Sequence, residues 1–402
     1  MREVPVPFIK KIKIQNYKSI ANCDVELQPL TLLVGPNGSG KSNFLDAIRF
    51  VAESLRNPID QALRERGGIE EVRRRSRGHP THFRIDLELS LPSGRASYGF
   101  RVGSAPKRGF VIQEETCEVE KNDASGRASY AVEDGKVRAA TFDVKPPASN
   151  DRLYLTVVSG YPEFRVIYDH LCGMGFYNIN PDEIRDLQEP DAGVLLARDG
   201  SNLASVLTTL GERNSDIKER VEEYLRCIVP GLIGVDRKSL GPKETLEFRQ
   251  KVAGDENPWR FQAQNMSDGT LRALGVLVAL FQSVDRSPKN PVSVVGIEEP
   301  EVAVHPAAAG VLMDAMKEAS HFTQVIATTH SPDLLDTRDL DAGSLLVVNA
   351  IEGNTILGSA DEGSVATMRE RLYTAGELLR QDQIHPRIPP VSEDQPLFKD
   401  IK

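Results

Sequence analysis

The chain has 402 residues, 40 % of them hydrophobic and 27 % charged, with a formal net charge of -9. That length suits one large α/β unit or two smaller domains, and an unexceptional 31 Gly and 25 Pro exclude disordered, collagen-like and low-complexity classes. The longest apolar run is Ala273–Phe281, the N-terminus has no apolar leader and the cysteines (Cys23, Cys117, Cys172, Cys227) are scattered, so a cytoplasmic protein without membrane span, zinc site or disulfide framework is expected.

The N-terminal region alternates like strands: Ile9, Ile12 and Ile14 among lysines, then Val25 and Leu27, then Leu30–Val34. Directly after the third run comes Gly35-Pro36-Asn37-Gly38-Ser39-Gly40-Lys41-Ser42, which satisfies G-x-x-x-x-G-K-[ST] and is followed by Asn43, a further candidate nucleotide contact. Its glycines let backbone N–H groups converge on phosphate oxygens. A helix expected over about Ser42–Leu55, with Phe44, Leu45, Ile48, Val51 and Leu55 on one face, aims its positive end at them. Lys41 would reach the β- and γ-phosphates, and the Ser42 hydroxyl would ligate Mg²⁺.

Arg64, Arg66, Arg73, Arg74, Arg75, Arg77 and Arg84 follow, interleaved with Glu65, Glu70 and Glu71. A salt-bridged helix end is one reading; a phosphate- or partner-docking patch is the other. Net acidity does not exclude nucleic acid, because binding depends on where positive charge collects. From Phe83 to about Val144, short β-like segments separated by turns such as Pro92-Ser-Gly and Asp134-Gly predict an antiparallel sheet. Tyr161–Pro230 reads as helical, including Asn202–Leu210 and Ile217–Ile228, and Ile233–Ala263 as strand-like.

Asn265-Met-Ser267-Asp268-Gly269-Thr precedes a strongly apolar helix, Leu271–Phe281. Ser267 or Asp268 is good N-cap chemistry, and a helix start with Ser and Gly is also a second anion site. One chain cannot readily put two such helix starts on one phosphate; two chains facing head to tail could. Val292–Ile297 ends in Glu298-Glu299-Pro300, and two acids at the end of a buried strand are costly without a cation or partner. Beside a phosphate loop, Glu298 would hold Mg²⁺ and Glu299 would act on the attacking water. Helix Ala307–Ala319 leads to strand Thr323–Thr328 and then His330, which faces the crevice where parallel sheets bind ligands and would hydrogen-bond the γ-phosphate. With Leu345–Asn349, this alternation predicts a mainly parallel α/β sheet. The Pro-rich segment after Ile384 is expected to be loosely held. No internal repeat or sustained heptad seam is visible.

These motifs, in this order, resemble the ABC-class ATPase heads of the RecF/SMC/OLD-like branch, the compact AAA-family ATPases. Gly35–Ser42 is similar to the Walker A loop, Ser267-Asp-Gly-Thr to the signature motif, Ile297–Glu301 to Walker B with its catalytic glutamate, Glu301–Pro306 to the D-loop and His330 to the switch histidine. Ile14-Gln-Asn-Tyr-Lys18-Ser19-Ile resembles the first-strand motif, which implies that Lys18 and Ser19 lie near the nucleotide. The resemblance implies an α/β, ABC-type P-loop NTPase head over 1–384. Within it, 1–60 would carry the N-terminal core, 61–160 an antiparallel β subdomain, 161–265 a helical or mixed insertion and 266–384 the remaining core, followed by a tail over 385–402.

It further implies ATP as substrate, Mg²⁺ as cofactor and a homodimer enclosing two nucleotides. Each site would pair Lys41, Ser42, Glu298, Glu299 and His330 of one chain with Ser267 and Gly269 of the other. Gln113, in Val111-Ile-Gln-Glu-Glu, is the candidate for the glutamine that couples the β subdomain to Mg²⁺. Asp268 stands where many members have glycine, which brings a carboxylate toward anionic phosphate. Asp199-Gly-Ser-Asn-Leu and Ala375-Gly-Glu-Leu also match compact members, without assigned chemistry. The stretch between Ser42 and Ser267 is too short for long coiled-coil arms, and that after His330 too short for a Toprim nuclease, so a separately encoded effector is expected. Three functions follow: a nucleotide-gated regulator of that effector in bacterial defence, a RecF-like clamp on duplex DNA using Arg73–Arg77 with Lys10, Lys11 and Lys13, or a scaffold that holds ATP with little turnover. The Glu299 carboxylate argues against the third.

Overall fold

The computed structural model describes residues 6–76, 80–92, 94–106, 109–121, 126–143, 145–283, 292–337 and 339–387. Strands β1 (Ile9–Tyr17) and β2 (Ile20–Glu26) form a hairpin that buries Ile9, Ile12, Ile14 and Tyr17 and leaves the lysines outside. β3 (Leu30–Val34) is buried along its whole length, the pattern of a strand covered on both faces. β4 (His82–Leu91), β5 (Gly94–Ala105), β6 (Gly109–Lys121), β7 (Arg127–Glu133) and β8 (Lys136–Ala140) then run as an antiparallel meander. This seven-stranded sheet has the order β2-β1-β4-β5-β6-β7-β8. The first two strands thus join the antiparallel sheet rather than the core placed at 1–60. Their polar-out alternation suits a sheet with one solvated face and would be costly inside a doubly covered one.

β9 (Gly175–Tyr177) is followed by the three-stranded antiparallel β10 (Leu232–Leu240), β11 (Lys243–Gln250) and β12 (Trp259–Gln262). The last strands are β13 (Val294–Glu298), β14 (Gln324–Thr329), β15 (Leu345–Ile351) and β16 (Asn354–Ser359). The core sheet has the order β16-β15-β3-β14-β13-β9 and is parallel except for the β15–β16 hairpin. The segment read as an insertion over 161–265 therefore supplies one core strand, β9, and the core sheet is mainly parallel as expected, with one antiparallel strand, β16, at its edge.

Alternate residues of the core strands enter two apolar clusters. Leu33, Val294, Ile326 and Leu346 face helix Lys41–Arg56 and the antiparallel sheet. Leu32, Val34, Val295, Ile297, Val325 and Ala327 face helices Leu203–Arg213, Asp268–Phe281 and Pro306–Ala319. Helix Asp268–Phe281 is buried continuously from Thr270 onward, as expected of a helix apolar all round. Each fully buried Leu, Val or Phe there contributes about 1.5–3 kcal/mol.

Beyond Ile384 the chain stays docked: Ala360 bridges Pro386 and the Arg387 N–H donates to Ser359 O at 2.7 Å. The loose tail expected from 385 is thus corrected as far as Arg387, and its remainder lies outside the described residues. No helix among the described residues is long and apolar enough to cross a membrane.

Candidate functional site

Between β3 and helix Lys41–Arg56 the chain passes through Gly35, Gly38 and Gly40, with φ of 158°, 76° and 105°. Gly40 is required twice over, because a Cβ there would also lie 2.0 Å from Thr355 Oγ1. No side chain caps the helix start, so its first N–H groups face the loop. The Lys41 ammonium is buried and donates to Gly35 O at 2.8 Å and Pro36 O at 2.9 Å. Burial lowers its pKa, an effect that the carboxylates of Glu299 and Glu301 oppose. The buried Ser39 Oγ has no hydrogen-bond partner. An uncapped helix start, an ammonium folded over the loop and an orphaned hydroxyl make a donor set that fits a chain of phosphates.

Side chains from distant segments brace this loop. Thr355 Oγ1 donates to Ser39 O at 2.9 Å and lies 2.7 Å from Ser19 Oγ, which accepts from Asn43 Nδ2 at 2.7 Å. Arg74 donates to Ser19 O at 2.6 Å and to Asn354 Oδ1 at 3.1 Å. Lys18, expected near the nucleotide, places Nζ 2.6 Å from Asp46 Oδ2. Asp46 also accepts from Tyr17 Oη at 2.8 Å and from Arg49 at 2.5 Å, and pairs with Arg66 at 2.9 Å. The positive backbone φ of Lys18, 47°, turns it along the helix, where a buried carboxylate needs cations.

The arginine segment is largely consumed in such pairs: Arg64 with Asp60, Arg66 with Asp46 and Glu53, Arg73 with Glu70, Arg75 with Glu71, and Arg84 with Asp86 and Glu114. Of the two readings, the salt-bridged one describes these residues; Arg77 lies outside the described residues. Among the described residues, no hydrogen bond joins Gln113 to the loop. It sits on β6, three strands from β1 in sheet order, where its side chain covers Gly103.

The carboxyl ends of β13 and β14 supply the acids and the histidine. Val294 faces helix Lys41–Arg56, and a Cβ on Gly296 would come within 3.0 Å of Leu45 on that helix. By alternation Glu298 shares the face whose helix begins with Lys41 and Ser42. Its Oε1 accepts from Arg198 at 2.8 Å. Glu299 leaves the strand with φ 45°, and its N–H donates to Thr328 O and Oγ1, both at 3.1 Å. A left-handed non-glycine residue is strained and persists only where its surroundings hold it. Arg272, 7 % exposed, does so by donating to the carbonyls of Glu298 and Glu299, both at 3.1 Å. Burial lowers the Arg272 pKa, an effect that Glu301, Glu299 and Glu298 oppose without reversing.

His330 Nδ1 lies 3.1 Å from Glu299 Oε1. Glu301 Oε1 accepts from Thr329 Oγ1 at 2.6 Å, while its buried Oε2 has no partner. Burial pushes the Glu301 pKa up, against the hydrogen bond from Thr329. No cluster of three or more His, Cys, Asp or Glu among the described residues could hold a metal alone. The Ser42 hydroxyl and the Glu298 carboxylate are oxygen donors of the kind that Mg²⁺ takes in company with substrate phosphates.

Ser267 caps its helix, accepting from the Thr270 N–H at 3.3 Å. Asp268 is paired with Arg185, so the carboxylate at the glycine position carries its own counter-charge. A Cβ on Gly269 would meet Ala303 O at 2.4 Å, which packs this helix start on the loop after Glu301. Among the described residues, no hydrogen bond or ion pair joins Ser267 or Gly269 to Lys41 or Ser42. Three residues of the site escaped sequence reasoning: Arg198, Arg272 and Thr355. Only the spacing of Arg198 before Asp199-Gly-Ser-Asn offered a signal.

The family described as "AAA domain, putative AbiEii toxin, Type IV TA system" matches residues 30–336, about three quarters of the chain. A DNA replication and repair protein RecF of Gloeobacter violaceus is 32% identical over 106 residues, 25% of this chain and 27% of that protein. Structural maintenance of chromosomes protein 1 of Schizosaccharomyces pombe is 24% identical over 278 residues, 60% of this chain and 22% of that protein. The chain thus spans only about a quarter of these relatives. Among solved structures, the Smc head domain with an extended coiled coil, bound to the C-terminal domain of ScpA and derived from Pyrococcus furiosus, aligns with a TM-score of 0.54 at 15% identity. It covers 91% of this chain and 100% of that one, and shows the fold.

Proposed function

The chain belongs to this AAA-domain family and has the fold of an ABC-class ATPase head of the RecF/SMC branch, and we propose that it binds and hydrolyses ATP as a nucleotide-gated switch. The observation that carries the proposal is that Lys41 folds over the glycine loop, which leaves β3 at Val34, the register partner of Thr329 on β14, while the next residue, His330, lies 3.1 Å from Glu299. Loop N–H groups, Lys41 and Ser39 hold the phosphates. Ser42 and Glu298 hold Mg²⁺, whose charge screens the phosphate oxygens when bound. Glu299 takes a proton from the attacking water as its oxygen bonds to the γ-phosphorus, and the bond to the β-phosphate oxygen breaks to leave ADP. His330 orients the Glu299 carboxylate and donates toward the γ-phosphate.

In this proposal Ser267 and Gly269 complete the site of a second copy, so ATP closes a head-to-tail homodimer and hydrolysis opens it. The output is control of a separately encoded effector, in bacterial defence, a role suggested by the toxin–antitoxin wording of the family description. A clamp on duplex DNA is the second reading, supported by the RecF similarity. It is weakened because two of the arginines that would supply its charge, Arg73 and Arg75, are already paired with Glu70 and Glu71, and Arg74 is turned onto Ser19 O and Asn354. ATP hydrolysis measured with and without duplex DNA at low salt tests both. Turnover indifferent to DNA supports the regulator, and strong stimulation supports the clamp.

A further inference from the structure

The Walker-B-like carboxylate assigned to Mg²⁺ already has a cationic partner. Arg198 donates to Glu298 Oε1 at 2.8 Å, with the two side chains 48% and 25% exposed. The contact is built by the Asp199-Gly-Ser-Asn segment, whose chemistry the sequence left open. Asp199 Oδ1 accepts the Ser201 N–H at 3.0 Å. Asn202 Oδ1 accepts the Ala197 N–H at 2.7 Å, and its Nδ2 donates to Leu195 O at 3.0 Å. Gly200 makes the turn at φ 87°. The turn is then fastened to the extension of β9: Asn178 N–H donates to Arg198 O and Asn180 N–H to Asp199 O, both at 2.9 Å. β9 is the neighbour of β13, so this fixed backbone holds Arg198 beside the strand that ends in Glu298. The backbone is pinned while the side chain stays half in solvent, an arrangement suited to a guanidinium that must leave its partner.

We propose that Arg198 is a latch on Glu298, a cation within the chain that competes with the divalent ion for this carboxylate and sets the Mg²⁺ concentration at which nucleotide is held. Entry of the ion displaces the guanidinium into solvent at the sheet edge. The inference rests on the assignment of Glu298 to Mg²⁺. An exposed pair of this kind stabilises by about 0–1 kcal/mol, which converts to an up to about five-fold shift in apparent Mg²⁺ affinity.

The test is a Mg²⁺ titration of fluorescent, non-hydrolysed methylanthraniloyl-AMPPNP binding to the full chain, read as binding and not as turnover. Arg198→Gln is expected to lower the Mg²⁺ midpoint two- to five-fold, Arg198→Lys to fall between it and the wild type, and binding in EDTA to stay unchanged for both. Thermal unfolding checks that each variant is folded, and either variant suffices. A midpoint that is unchanged or raised, or weaker binding in EDTA, overturns the latch while leaving the nucleotide site standing. Mg²⁺-independent or absent binding by the wild-type chain overturns the assignment of Glu298 and the latch together.

Discussion

His330 Nδ1 and Glu299 Oε1 face each other at 3.1 Å across the ends of two adjacent parallel strands. Residues that act as a unit lose activity non-additively. His330→Ala is expected to lower kcat about 10²-fold, and Glu299→Gln with His330→Ala no further than Glu299→Gln alone. Single-turnover hydrolysis by the three variants checks this. Multiplicative losses would mean that the two residues act separately.

Gly40 is held open by Thr355. Gly40→Ala should destabilise the fold by at least ~2 kcal/mol, because a left-handed φ and a 2.0 Å approach to Oγ1 add together. Thr355→Ala removes that oxygen together with its hydrogen bond to Ser39 O. In urea denaturation the double variant should lose about 1 kcal/mol less than the sum of the singles. Strict additivity would show that the β15–β16 hairpin does not press on the loop.

Arg272 joins the apolar helix to the strained turn at Glu299. Arg272→Met keeps the volume of the side chain but strands the carbonyls of Glu298 and Glu299. The expected cost is about 2–4 kcal/mol of stability together with a fall in kcat that exceeds any change in KM. A stable variant with unaltered kcat would show that the turn holds itself.

Asp46 gives the pH dependence. Burial alone would raise its pKa, but Arg66, Arg49 and Lys18 outweigh burial and hold it well below the usual carboxylate range. Its stabilising effect is therefore complete above the unfolded value of about 3.9 and is lost as pH falls toward the lower folded value. Asp46→Asn should cost about 3–5 kcal/mol at neutral pH, a deficit that shrinks below about pH 4. Urea denaturation at both pH values measures it. A deficit constant across the range would contradict the assignment.

Much of the core was legible because its signals are local. An apolar run, a glycine-rich turn and an amphipathic helix follow one another at Leu30–Arg56, and apolar runs ending in Glu298 and before His330 mark two more strand ends. β9 was not legible, since three residues, Gly175–Tyr177, carry no period. The side chains that brace the site were hidden for a different reason. Ser19 meets Thr355 and Arg74 meets Asn354 only because the β15–β16 hairpin returns across the loop, and no spacing in the chain encodes that. At Lys18 a motif gives proximity but not direction; its left-handed backbone and the buried Asp46 decide where the ammonium points. Arg198 was passed over because its partner lies a hundred residues away in sequence.

Steady-state ATP hydrolysis by the purified chain and by Glu299→Gln, with nucleotide affinity measured in parallel, tests the switch most directly. The wild type should turn over ATP in Mg²⁺, and the variant should be at least about 10²-fold slower while binding ATP as tightly and accumulating as an ATP-bound dimer. Equal hydrolysis by the two proteins would show that Glu299 is not the base, and a wild type that binds ATP without hydrolysing it would leave the chain a nucleotide-holding scaffold.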